Sequence, residues 1–182
     1  MVEMEDAASH FIKAVDSETG EIAAFCKWVE PKPGIFPDTS LPAWPKESNV
    51  DLCNETFGMW ATQHRELMQD RGHWCKHSLS RASAHRLYLL DSDMCSADLE
   101  IVGTSPKFQR QGTGSMLLQY GCERADEQGF EAFLEAAPDA LSLYQKFGFR
   151  TAAAMHTLIK CEQFPEGDVY TETFMIREPS TA

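Results

Sequence analysis

The residues of this chain best suited to chemistry lie in one short run: Gln109, Arg110, Gln111, Gly112, Thr113 and Gly114. A stretch that reads as a strand precedes it, and one that reads as a helix follows. A glycine-rich turn in that setting does a particular physical job. It lets backbone N–H groups approach a pyrophosphate while the helix N-terminus adds partial positive charge. Gly112 and Gly114 are placed for that task. Two other phosphate-binding patterns fit less well. The third glycine and the downstream ribose-binding acid of a dinucleotide fingerprint are missing, and there is no Gly-Lys-Ser/Thr of a P-loop.

A second group of reactive residues, His73, Cys75, His77, His85 and Cys95, invites a zinc reading. His73 and His77 stand at an H-x3-H spacing, but there is no C-x2-C pair to complete a zinc set, so no metal is expected. Six cysteines with no export signal and no tight spacing fit reduced thiols better than a disulfide framework.

The elements that must position the glycine turn can be read along the chain. Residues 10–15 and 21–29 are β-leaning runs joined by a turn-rich link, hence an antiparallel hairpin. Pro31, Pro33, Pro37, Pro42 and Pro45 bar regular structure in the segment that follows. Residues 51–69 space Leu52, Phe57, Trp60, His64 and Leu67 as an amphipathic helix whose stripe belongs to the core. Residues 99–104 read as a short buried strand ending at Ser105 and Pro106. Residues 114–128 form the clearest helix, stopped by Gly129. A strand over 130–136, a helix over 139–147 and a last strand over 169–176 complete an α/β order.

Taken together, Ser105 to Gly114 resembles the coenzyme A motif of the GNAT superfamily, Q/R-x-x-G-x-G/A after a strand that ends in a proline-containing turn. Leu143, Tyr144, Gln145, Lys146, Phe147, Gly148 and Phe149 resemble that family's second motif, in register with the first. The run Lys27, Trp28, Val29, Glu30 and Pro31 is similar to the xKWxxP run of a fungal group of these proteins. The resemblance implies a GNAT fold, a mixed and mostly antiparallel sheet flanked by helices, here lacking the family's N-terminal strand and helix. It implies direct transfer of an acetyl group from acetyl-CoA to an amine, with no acyl-enzyme and no metal. By the same resemblance Val102, Gly103 and Thr104 would hold the pantetheine arm. Gln109, Arg110, Gln111, Gly112, Thr113, Gly114 and Ser115 would hold the phosphates. Tyr144 matches the tyrosine that protonates the departing thiolate, and Asp98, Glu100 and Glu135 are candidates for the base. A non-catalytic coenzyme A-binding or defective module is the rival reading.

One stretch departs from the family. Residues 75–98 carry neither a helical nor an alternating period, and they interrupt the strand before the motif. An excursion of that length inside a compact domain is unusual. Back-translation offers an origin. Cys75 and Lys76 can be encoded with an intron donor, and Ala97 and Asp98 with an acceptor. Removing the interval gives His73, Trp74, a new tyrosine, then Leu99 and Glu100 in one strand. The segment is therefore expected to be a retained in-frame intron, with a genuine surface loop as the alternative, and Asp98 would then not be a native base.

Composition bounds the rest. With 182 residues, 43% hydrophobic and 24% charged, the chain can bury the core of one domain spanning residues 1–182. A formal charge of −12 opposes a nucleic-acid partner and favours a cationic acceptor, a small-molecule or peptide amine. No stretch approaches a membrane span, and the first thirty residues are unlike a leader peptide. A cytoplasmic protein is expected, with the nucleus also open.

Overall fold

The computed structural model describes residues 7–31, 43–44, 48–76, 102–161 and 164–180. Strands β1 (Ser9–Val15) and β2 (Ile22–Val29) form the expected hairpin, antiparallel from Ser9 opposite Val29 to Val15 opposite Ile22. Its turn is tied by Asp16, whose carboxylate accepts from the Thr19 N–H at 2.8 Å and the Thr19 hydroxyl at 2.7 Å. Those bonds hold the Asp16 carboxyl below its ordinary range.

Helix α1 (Val50–Met68) lies within a residue of its expected bounds. The Asn49 side chain accepts from the Leu52 N–H at 3.1 Å, satisfying one of the helix's open donors. Of the expected stripe His64 is fully buried and Leu52, Phe57, Trp60 and Leu67 are partly buried, while Met68, outside that stripe, is buried as well. Strand β3 (His73–Lys76) follows, then β4 (Val102–Thr104), helix α2 (Thr113–Gln128) and β5 (Glu131–Ala136). A 3₁₀ turn at Pro138–Ala140 leads into helix α3 (Leu141–Lys146), and β6 (Arg150–Cys161) and β7 (Phe164–Arg177) close the chain.

The strands make one sheet in the order β1-β2-β3-β5-β7-β6, with β4 on β2. Every pairing is antiparallel except β3 with β5. Since β1 occupies one edge of β2, both β3 and β4 lie along the other. Val29 pairs with Cys75, and Cys26 pairs with Val102. A continuous strand would bring residue 78 opposite Cys26, and the chain brings Val102, so 24 residues are extra to one unbroken register. Strands β3 and β4 are thus two halves of one strand position.

Each face of the sheet has its own core. On one, α2 and α3 pack Leu117, Leu118, Cys122 and Tyr144 against Trp28, Trp74, Leu134 and Ala136. On the other, Met68 of α1 meets Cys75, Phe133, Met155 and Phe174. Burying side chains of this size contributes roughly 1.5–3 kcal/mol each before entropy is counted. Alternation along β5 therefore sends Leu134 and Ala136 toward α2, and Phe133 and Glu135 toward α1.

Three elements differ from the sequence reading. Cys75 and Lys76, placed in the interruption, belong to β3, where Cys75 pairs with both Val29 and Phe133. Strand β6 was not anticipated, because Ala152, Ala153 and Ala154 carry little strand propensity and blur the alternation. Strand β7 begins at Phe164 and passes through Pro165 and Gly167, residues that ordinarily punctuate strands.

Candidate functional site

The site begins where two strands part. Strand β3 pairs with β5 from His73 opposite Glu131 to Lys76 opposite Leu134. Beyond that point, among the described residues, β4 pairs with β2 alone. Glu135 and Ala136 therefore lie beside an opening in the sheet, with Val102, Gly103 and Thr104 on its far side. Unpaired strand edges facing each other can accept an extended ligand arm as an added strand.

The glycine turn stands at one end of this opening. The Ser105 N–H donates to the Ala23 carbonyl at 2.9 Å, fixing the exit from β4, and a 3₁₀ turn at Pro106–Phe108 buries Phe108. Arg110 (φ 62°) and Gly112 (φ 86°) are both left-handed, with Gln111 between them. Alternation of this kind curls successive N–H groups into a concave, anion-favouring surface. Glycine takes that backbone without a Cβ penalty; Arg110 does not, and local strain of order 1–2 kcal/mol is held there.

Helix α2 starts with the Met116 N–H bonded to the Gly112 carbonyl at 3.0 Å, and Gly112 has no side chain to cap it. The N–H groups of Thr113, Gly114 and Ser115 consequently have no acceptor inside the helix and point out of its positive end. The turn is braced from outside: Gln111 donates to the Lys107 carbonyl at 3.0 Å, Thr113 to the Phe108 carbonyl at 3.3 Å and Gln109 to the Thr104 carbonyl at 3.5 Å. Three elements converge at Gly114, where an ideal Cβ would stand 3.7 Å from Thr104 Oγ1 and 3.8 Å from Leu143 Cδ2. Tyr144, next along α3, is buried on the same face as α2, its ring 6.1 Å from that of Phe149.

Residues 87–151 match the family model of the acetyltransferase (GNAT) domain, which takes in the opening, the glycine turn and α3. The match opens inside the segment expected to interrupt the strand. Among solved structures, the chain is similar to the ribosomal-protein-S18-alanine N-acetyltransferase of Escherichia coli. Identity is 14%, the TM-score is 0.52, and coverage is 100% of this chain and 76% of that one. It is also similar to Arabidopsis thaliana NAA60 in complex with a bisubstrate analogue, at 11% identity and TM-score 0.50, covering 97% of this chain and 78% of that one. Chaetomium thermophilum Naa20, likewise in complex with a bisubstrate analogue, matches at 12% identity and TM-score 0.50, with 93% and 65% covered.

The fold is that of the GNAT acetyltransferases. Within this GNAT fold the structure brings together Val102, Gly103, Thr104 and residues 109–115 at one mouth of the opening. Tyr144 lies on the α2 face and Glu135 on the α1 face. Glu135 is buried to 2% exposure and is therefore not a solvated surface acid. Asp98 and Glu100 lie outside the described residues. Among those described, no helix is long and apolar enough to cross a membrane.

The histidine and cysteine cluster changes membership. His73 and Cys75 are joined by His64 from α1, with ligand atoms within 4.8 Å of one another, while His77, His85 and Cys95 lie outside the described residues. His73 Nδ1 lies 2.7 Å from the Arg71 carbonyl and donates to it, leaving Nε2 to accept from His64 Nε2 at 2.6 Å. Two nitrogens ligating one tetrahedral zinc would stand about 3.3 Å apart. A hydrogen-bonded pair, with His64 stacked on Phe133 at 4.2 Å and His73 edge-on to the same ring at 5.8 Å, accounts for the arrangement.

Sequence reasoning missed Glu172 and Thr157. Glu172, on β7, is fully buried on the α1 face, one diagonal step from Glu135. An acid between two threonines in the last strand was visible in the sequence, but its partner strand β6 was not.

Proposed function

We propose that this chain transfers an acetyl group from acetyl-CoA to a primary amine of a small molecule or peptide by direct attack. The observation that carries the reading is the uncapped start of α2, curled by Arg110 and Gly112, at the mouth of the opening between β4 and β5. Backbone of Val102, Gly103 and Thr104 would hold the pantetheine arm, and the N–H groups from Gln109 to Ser115 the phosphates. A backbone N–H of β4 would polarise the thioester carbonyl.

The two faces of the sheet divide the proton work. Glu135 takes a proton from the incoming ammonium on the α1 face, and the freed amine attacks the acyl carbon. One N–C bond forms and the C–S bond breaks. Tyr144, on the α2 face, gives its proton to the departing thiolate; of the two protons the nitrogen loses, one restores Tyr144 and the other leaves by way of Glu135. Glu100 stays an alternative base. The xKWxxP run supports a place near the fungal group, and the acidic charge supports a cytoplasmic protein without a nucleic-acid or membrane partner.

The rival, a coenzyme A-binding module without activity, draws support from the break between β3 and β4 in the strand that leads into the site. Calorimetry with acetyl-CoA, on the wild type and Gly112→Asp, tests the binding half. Micromolar affinity abolished by the substitution is expected, and no binding by the wild type rejects the proposal.

A further inference from the structure

Strand β1 forms one edge of the sheet, and among the described residues it pairs with β2 alone. Ile12, Cys26 and Trp28 turn toward the core under α2, so alternation sends Phe11, Lys13, Phe25 and Lys27 to the other face of the hairpin. That face is apolar and open: Phe11 is 51% exposed, Val15 46%, Ile22 54% and Phe25 43%. Large apolar side chains gathered in one patch mark a contact surface, as scattered single ones do not. Lys13 and Lys27 are the charged residues among them, and each stands opposite a ring. Phe11 pairs with Lys27, whose Nζ lies 5.5 Å from the centre of the Phe11 ring, and Lys13 pairs with Phe25.

An open edge of this kind is a template for another strand, and an edge lysine ordinarily deters the addition. Here the lysine selects a register instead. A second copy related by a two-fold axis normal to the sheet would lay its own β1 antiparallel against this one. All seven residues of Ser9–Val15 find a partner only when Ile12 lies opposite the partner's Ile12. Phe11 then stands against the partner's Lys13, and Lys13 against the partner's Phe11. Each row across the four strands alternates: Lys27, Phe11, the partner's Lys13, the partner's Phe25. Every Lys13 gains a ring on both sides, an arrangement that attracts a cation. Centring the contact on Lys13 would set the two ammonium groups against each other, and centring it on Phe11 would leave part of the strand unpaired.

We propose that β1 is the contact between two copies of this chain, joining their sheets into one across a two-fold axis centred on Ile12. The occupant of the Phe11 and Phe25 face is thus the same face of a second copy, and the Lys13 contacts fix the register. The inference is independent of the acetyl-transfer reading.

Sedimentation equilibrium of the full chain is expected to give twice the monomer mass, with a dissociation constant in the micromolar range. Lys13→Glu, an exposed position, should raise that constant about tenfold or more while the circular dichroism spectrum and Tm stay unchanged. Ile12→Cys tests the register: residues directly opposite in antiparallel strands have Cα atoms about 4.5–5.5 Å apart, within disulfide reach. Mild oxidation should therefore convert this variant, and not the wild type, to a covalent dimer that a reductant dissolves. If Lys13→Glu loses its native spectrum, the cross-link decides alone. A wild type that is monomeric throughout, a dimer that Ile12→Cys does not cross-link, or a dissociation constant unmoved in a folded Lys13→Glu variant overturns the proposal.

Discussion

The indole ring of Trp28 fills the space in which any residue other than glycine would place its side chain at position 121. An ideal Cβ on Gly121 falls 2.0 Å from Trp28 Cε2, and the indole N–H donates to the Leu117 carbonyl at 3.2 Å. Strand β2 and helix α2 are thereby locked face to face. Gly121→Ala tests this contact through its sign. In an open helix, alanine would stabilise by about 1 kcal/mol over glycine. Here the clash with a rigid ring should outweigh that by about 1–3 kcal/mol. Thermal denaturation is expected to show a fall of several degrees in Tm; a rise would mean that the ring does not hold the helix.

At the glycine turn the obstacle is backbone geometry alone, since nothing lies within 4 Å of a Cβ added to Gly112 at φ 86°. Gly112→Ala should therefore cost about 1–2 kcal/mol at this position and distort the N–H surface. Acetyl-CoA affinity is expected to fall about tenfold by calorimetry, with overall helix content by circular dichroism unchanged.

The far end of α2 is fastened by charge. Arg177 donates to both oxygens of Asp126 at 2.8 and 2.7 Å and to the Phe147 carbonyl at 2.8 Å. Those bonds from Arg177 hold the Asp126 carboxyl below the usual carboxylate range, against the opposing effect of burial. A carboxyl depressed in the folded state contributes stability above its unfolded pKa of about 3.9 and loses it as pH falls through the folded value. Asp126→Asn should be less stable than the wild type by about 2 kcal/mol at pH 7, with the gap shrinking below pH ~4. Urea midpoints at pH 7 and pH 3 measure this; a gap independent of pH would assign the loss to packing.

Much of this was legible from residue types and spacing, for a physical reason. Residues 109–114 need a left-handed glycine before a helix, and that demand is local, so the sequence carries it in full. The α1 stripe and the hairpin are equally local. Pairing partners are not. Glu135 could be named as a candidate acid, but only the register of β5 with β7 brings Glu172 beside it, and only β6, hidden by its alanines, brings Thr157.

The register of β2 bears on the interruption as well. Deleting residues 78–101 would join His77 to Val102 and leave one strand in a single register along β2. Splicing between the donor and acceptor read from the sequence would leave one residue more, the room of a single β-bulge. The deletion variant is expected to match or exceed the full chain in Tm and to retain acetyl-CoA binding. Transcripts lacking the segment are expected to be found on sequencing. An unfolded deletion variant together with messages that all contain the segment would show a genuine insertion.

The most direct measurement is mass-spectrometric detection of acetylated phenethylamine from acetyl-CoA, for the wild type and for Tyr144→Phe. Acetyl transfer predicts product from the wild type and at least a tenfold lower kcat for the variant, with acetyl-CoA affinity unchanged. Acetyl-CoA bound equally by both, with no acetylated amine from either, would contradict it.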